Sequence, residues 1–354
     1  MKKYDVIIIG AGPAGSTAAR YINPSRSGIS VLLLEARRQA GLPIQCGEAL
    51  PHYRDVKMVF PRFDCPEVFD LPPAVIASEI HGIKFVLPRG KEYFADVTGR
   101  MFYRDRLDQY LFAQAVTAGA AYRLHTRAHK IVGHQVFTAT EEFEGTLIIG
   151  ADGPHSTVSA SFPAFSPNRE LIPCAFVIAD GDFYEKHIEV WMDNRFPGGY
   201  FWLFHKNGEA NIGLGMRETR NVRSVLNEML SDLARQREFK IKTIGGGVVP
   251  LGGLKKRVAW EHVALVGDAA GMVFPSNGGG TAQAMMGGHL LGEVIRAGLP
   301  LREYQRRVDD IMRPALKNSL RARRLIDLTR KNDSLFLALM WLYDRGGWKS
   351  FLAG

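Results

Sequence analysis

The sequence predicts an α/β fold of two interleaved sheets, one parallel and wound with helices, the other mostly antiparallel, followed by a helical C-terminal region. Three observations support this. Glycine-rich segments at residues 10–15, 150–153 and 267–271 each follow a short apolar run. Two intervals, about 62–100 and 166–250, hold alternating strand-like pieces. Beyond residue 300 the pattern becomes helical and rich in Arg and Lys.

The elements follow in order. Residues 4–9 form a continuous apolar run, as in a parallel strand buried on both faces. Residues 13–21 read as a helix and 31–34 as a second strand ending at Glu35, which makes a βαβ unit. Residues 36–60, with Gly41, Pro43, Gly47 and Pro51, read as loop. A helix is expected over 104–118, short strands over 130–139 and a buried strand over 146–149. Strands of the second sheet are expected at 83–87, 92–97, 175–179, 187–192, 199–205, 209–214 and 241–249. The expected division assigns 1–61, 101–165 and 251–299 to a first domain, 62–100 and 166–250 to a second, and 300–354 to the helical region.

Bulk properties narrow the function. The 354 residues suffice for a sizeable core, and the formal charge is +9. That charge suits an anionic cofactor, a phosphorylated substrate or an anionic membrane surface. No nucleic-acid-binding motif accompanies it, so no nucleic-acid partner is expected. Cys46, Cys65 and Cys174 are odd in number and widely spaced, against a disulfide framework or a thiolate metal site. No metal is expected. The first strand begins almost at once, so no signal peptide is expected, and the apolar stretch 335–342 is too short to span a bilayer. A cytoplasmic protein, peripheral at most to the inner membrane surface, is the resulting expectation.

Gly10, Gly12 and Gly15 have the spacing of a Rossmann-like dinucleotide loop. The first permits a tight turn, the second lets a pyrophosphate approach the backbone, and the third lets helix and strand pack closely. The helix N-terminus offers free N–H groups to phosphates. Glu35, 20 residues after Gly15, is placed to accept from ribose hydroxyls and would repel a 2′-phosphate. Asp268 is a candidate for the ribityl chain, or alternatively a plain helix N-cap. A helix beginning near Gly280, after Gly278 and Gly279, would aim N–H groups at a flavin pyrimidine ring. Three segments in this order point to FAD.

These segments, with Asp152 and Gly153 in the second, resemble the fingerprints of the para-hydroxybenzoate-hydroxylase-like flavoproteins. The resemblance implies that Arg104, opening the long helix, contacts the cofactor; the plainer alternative is a surface residue of a first turn. Ala14, Ala36, Cys46 and Gly47 complete the expected cofactor contacts. Two stretches resemble one branch, the archaeal geranylgeranyl reductases, digeranylgeranylglycerophospholipid reductases among them. One is Pro43 with Cys46, Gly47 and Glu48; the other is Tyr200, Trp202 and Phe204 through Gly213. His205 departs from that branch, which usually has Pro there, and leaves the end of the strand open. The chain is also somewhat short for the branch.

The resemblance implies an FAD-dependent reduction of isolated prenyl double bonds on archaeal membrane phospholipid precursors. Tyr200, Trp202, Phe204 and Gly213 would bind the isoprenoid, and Cys46 would serve catalysis. Alternating residues of a strand share a face, so the three aromatics form one wall. An ordinary sheet core would look the same, and a lone cysteine is often inert packing. Glu48 either orients its loop or faces solvent. The electron donor stays open among NADPH, ferredoxin and a deazaflavin. The rivals are an aromatic hydroxylase or monooxygenase on the same scaffold, a quinone-reducing electron carrier, whose usual cluster needs four thiolates that three scattered cysteines cannot supply, and a non-catalytic prenyl-binding module. Arg313, Lys317, Arg321, Arg323, Arg324, Arg330 and Lys331, preceding the apolar 335–342 run, suit an anionic bilayer surface or a solvated helix face.

Overall fold

A computed structural model describes residues 1–217 and 221–346. The expected end of the helical region, residues 347–354, lies outside the described residues, as do 218–220 in the second sheet's interval.

The first sheet is built on five parallel strands in the order Val263–Leu265, Glu142–Gly150, Lys2–Ile9, Val31–Leu34 and Ala121–Arg123. Val6 to Ile9 and Val31 to Leu34 are buried throughout, as their unbroken apolar runs require. The register sets Ile9 beside both Leu34 and Gly150, and Gly150 beside Leu265. The three glycine segments and Glu35 therefore leave the carboxyl ends of four adjacent strands. Open α/β sheets bind ligands in that crevice. The first helix, Pro13–Ile22, packs on the helix Thr281–Arg296.

The second sheet has seven strands among the described residues. Their order is Phe239–Pro250, Leu171–Gly181, Glu209–Gly215, Tyr200–His205, Ile188–Trp191, Ile83–Val86 and Glu92–Ala95. All neighbours are antiparallel except Ile188–Trp191 and Ile83–Val86. One face carries Phe201, Leu203, Ile212 and Leu214 and packs under the helix Val222–Ala234. The other carries Trp202, Phe204, Phe176 and Val190, with Ile326, Phe336 and Met340 of the C-terminal helices.

Several elements differ from expectation. Residues 36–60 are not all loop: Ala49–Pro51 is a strand and Tyr53–Val59 a helix. The strand belongs to a small third sheet with Gly99–Phe102 and Ile76–Ile80. The helix Val222–Ala234 interrupts the strand-rich interval, capped by the Asn221 side chain. The strand Tyr200–His205 ends at His205, so the histidine does not shorten it.

Candidate active site

Gly10 leaves its strand at φ 104°, and a Cβ there would stand 2.3 Å from the Ala151 carbonyl oxygen. Gly10 is thus required by the approach of the second glycine segment. A Cβ on Gly15 would fall 2.0 Å from the Gly10 carbonyl oxygen, the close packing expected of a third glycine. Gly12 and Gly153 face open space instead. The Glu35 carboxylate accepts from the Ala11 and Arg37 backbone N–H groups at 2.8 Å each, which fixes the glycine loop and leaves lone pairs for ribose hydroxyls.

A continuous cavity of about 840 Å³ runs from this loop to the second sheet. Gly10, Gly12, Ala14, Glu35, Ala36, Arg104, Asp152, Gly153, Gly267, Asp268 and Gly278 to Gly280 line one end. Tyr200, Trp202 and Phe204 line the other, and Cys46 and Gly47 lie between. Two expected contacts are corrected. Gly15 packs helix against strand and does not line the cavity. Gly213 sits behind the wall, where a Cβ would reach 2.5 Å from the Trp202 indole, so it makes room for Trp202 and does not line the cavity.

The lining fits FAD. Gly12 and Gly153 leave room where a pyrophosphate must approach. Asp268 is half-buried on the cavity wall, and among the described residues its carboxylate has no hydrogen-bond partner. Burial pushes its pKa up to about 6, partly offset by Arg104. A ribityl hydroxyl would supply the missing donor. The alternative N-cap role does not hold, because the helix Thr281–Arg296 starts from Gly280. That start leaves the first N–H groups of a buried helix unpaired and facing the cavity. Asp152 is partly committed elsewhere: one carboxylate oxygen accepts from Thr157 and Val158 N–H, while the other is buried without a partner.

Arg104 is not a surface residue. Its Nε donates to Asp108 Oδ1 at 2.7 Å, and both side chains are largely enclosed. Burial opposes the guanidinium charge, but Asp108 and Cys46 outweigh it and hold the pKa raised.

Glu48 does not face solvent. It has no exposed surface and adopts φ 67°. Its Oε1 accepts from the Arg104 backbone N–H at 3.0 Å. Its Oε2 accepts from Lys206 Nζ at 2.8 Å and Asn211 Nδ2 at 3.0 Å. Lys206, also buried, lies over the Tyr103 ring at 4.5 Å. Asn211 further donates to the Cys46 carbonyl and accepts from Trp202 Nε1, each at 2.9 Å. One carboxylate thus links the cysteine loop, the long helix and the aromatic strand. Cys46 Sγ accepts from the Glu48 backbone N–H at 3.1 Å and lies 4.0 Å from Thr281 Oγ1.

Tyr200 and Trp202 have ring centroids 5.9 Å apart, and Trp202 and Phe204 6.0 Å. The Tyr200 hydroxyl donates to the Asn277 carbonyl, and burial raises its pKa, so it stays a neutral phenol. Cys174, also on the cavity, is pushed up to about 12 by burial and stays a thiol. Asp108, Lys206 and Asn211 were not legible as site residues, although the four-residue spacing of Arg104 and Asp108 and one amide in an apolar strand were available signals.

Comparison with known proteins decides the family. A model of the geranylgeranyl reductase catalytic domain matches residues 172–249, which contain the aromatic wall, and a model of the NAD(P)-binding Rossmann-like domain matches residues 8–78. The digeranylgeranylglycerophospholipid reductase 2 of Methanopyrus kandleri is 30% identical over 91% of this chain and 86% of its own length. The chain belongs to the geranylgeranyl reductase family. As a member it is an FAD-dependent oxidoreductase acting on carbon–carbon double bonds. The reductase resembles in fold a geranylgeranyl bacteriochlorophyll reductase-like protein of Thermoplasma acidophilum (TM-score 0.80, 23% identity, 95% of this chain and 90% of that one). A variant of the halogenase PltM in complex with FAD also shares its fold (TM-score 0.69, 17% identity, 94% and 78%).

Removing one partner of a buried ion pair leaves an uncompensated charge, at a cost of about 3–5 kcal/mol. Urea denaturation of the holoenzyme should show Glu48→Gln and Lys206→Met each destabilised on that scale. The double variant should lose clearly less than the sum of the two.

Proposed function

We propose that this reductase hydrogenates isolated double bonds of the geranylgeranyl chains of a digeranylgeranyl glycerophospholipid. The observation that carries the reading is the single cavity in which an FAD cradle, Cys46 and the Tyr200–Trp202–Phe204 wall adjoin. The names of the relatives supply the substrate class. An aromatic hydroxylase or a halogenase would share the fold, but the match over residues 172–249 favours the reductase.

When bound and reduced, FAD supplies the hydride equivalent. The chain's residues do the rest. Gly10, Gly12, Gly153 and Gly267 would hold the dinucleotide, Glu35 and Asp268 would accept from its hydroxyls, and the unpaired N–H groups at Thr281 would stabilise negative charge on the reduced cofactor. The aromatic wall excludes water and aligns a prenyl chain. An isolated alkene has no carbonyl to polarise it, so proton arrival builds cationic character on the tertiary carbon. The faces of Trp202 and Tyr200 stabilise such charge by about 0.5–2 kcal/mol. Cys46 carries the proton: the Glu48 N–H holds its sulfur in place, and Thr281 lies beside it for resupply. Hydride and proton together saturate the bond.

The C-terminal helices suit contact with a lipid surface. Leu325, Leu328, Leu335, Trp341 and Leu342 are exposed on Arg313–Thr329 and Asp333–Gly346. Lys317, Arg321, Arg324 and Lys331 are exposed nearby. The other cations of that stretch are engaged elsewhere: Arg323 and Arg330 are buried on backbone carbonyls, and Arg313 pairs with Asp309. Among the described residues no helix is long and apolar enough to cross a membrane. The geometry favours a peripheral, partly electrostatic contact.

Chemically reduced holoenzyme mixed with a digeranylgeranyl phospholipid should reoxidise without oxygen, and the lipid should gain two mass units per bond reduced. Cys46→Ala should slow that single turnover by about 100-fold or more; an unchanged rate in both Cys46→Ala and Cys46→Ser removes the proton role. The protein should float with vesicles containing anionic lipid at low salt and be released by added salt or by Leu328→Glu with Trp341→Glu.

A further inference from the structure

On the face of the second sheet turned away from the cavity, two adjacent strands bring three ligand-bearing residues together. His187 immediately precedes the strand Ile188–Trp191, and Glu189 lies on the same face two residues later. The antiparallel register pairs Ile188 with Phe204 and Glu189 with Leu203. His205, one residue past Phe204, therefore comes opposite His187. The two imidazole rings are 5.7 Å apart.

We propose that His187, Glu189 and His205 form a binding site for a zinc-like divalent cation. One ligand atom from each residue lies within 4.8 Å of the others. His205 Nε2 and Glu189 Oε1 share a hydrogen bond at 3.2 Å, which a cation would replace, and His187 Nε2 is 3.9 Å from the same oxygen. Two atoms about 2.0–2.1 Å from one tetrahedral zinc stand roughly 3.3–3.4 Å apart, so the first pair already has that spacing and the second closes by a small rotation. Two imidazoles and a carboxylate are a donor set suited to zinc, with the fourth position left to water. His187 is the partly exposed member and gives the ion its path; His205 has no exposed side-chain surface.

The surroundings back the site. Nδ1 of His205, its other ring nitrogen, is 2.8 Å from Glu185 Oε2, off the direction of a hydrogen bond, and both atoms are buried and otherwise unpartnered. A ligating imidazole commonly donates its other ring N–H to a carboxylate, and a small turn of either side chain would align this pair. Arg237 holds the second Glu185 oxygen at 3.2 Å. The Phe94 and Phe183 rings flank His187 and His205. Lys84 is the opposing charge, 3.9 Å from Glu189 Oε2, but it sits closer to Glu92, at 2.9 Å. An ion here would pin the strand of the aromatic wall from behind, at its last residue.

The test uses untagged, FAD-loaded protein, freed of metal by a chelator that is then removed. Titration with zinc sulfate, followed by metal analysis of the desalted protein, should give one zinc per chain and a higher melting temperature. Cobalt should give the visible absorption of a tetrahedral site. His187→Ala and His205→Ala should each lose stoichiometric zinc, and Glu185→Gln should weaken binding by about 10–100-fold. Wild-type protein that retains no zinc overturns the proposal, and so does His187→Ala binding zinc as wild type does. His187, being partly exposed, keeps the test decisive if His205→Ala does not fold.

Discussion

The Glu48 carboxylate is enclosed and shared among three parts of the chain. It takes the backbone N–H that opens the helix Arg104–Thr117, the Lys206 ammonium and the Asn211 amide. A buried carboxylate is tolerable only with its lone pairs engaged and a cation beside it. Glu48 meets both conditions with groups drawn from separate elements, so those elements must meet at one point. Cys46, two residues earlier, is then fixed between the cradle and the aromatic wall. Asn211 passes the constraint to Trp202 through its side-chain oxygen. The relative placement of the two sheets at the site depends on this knot.

The two sheets contribute different physics. The parallel sheet supplies unpaired N–H groups and space at strand ends, which suit phosphates and hydroxyls. The antiparallel sheet supplies a flat apolar face. Its two faces are chemically distinct because of strict alternation along Tyr200–His205. Trp202 and Phe204 point to the cavity, Phe201 and Leu203 to the core under the helix Val222–Ala234. The same alternation puts His205 on the far side, among carboxylates and away from the cavity.

How much was legible in the sequence follows from the range of each signal. The glycine segments rest on backbone sterics within a few residues, and the parallel register then places them side by side. The aromatic wall rests on a period of two and is equally local. Glu48 had two readings because its partners, Lys206 and Asn211, lie 158 and 163 residues away. The helix Tyr53–Val59 was hidden by glycines and prolines on its N-terminal side, although the helix itself contains none. The helix Val222–Ala234 was available from Val222, Val225, Leu226 and Leu230, whose spacing is helical. Charge counting overstated the basic surface, since it does not tell exposed Lys317 and Arg324 from buried Arg323 and Arg330.

The central claim is that one cavity presents a prenyl chain, Cys46 and the FAD ring to one another. A crystal structure of the oxidised holoenzyme with a digeranylgeranyl phospholipid tests it most directly. The account predicts an isoprenoid chain along Trp202 and Phe204, with a reducible position between the FAD ring and Cys46 Sγ. A chain bound on another face of the second sheet, with Trp202 and Phe204 covered only by protein, would contradict it.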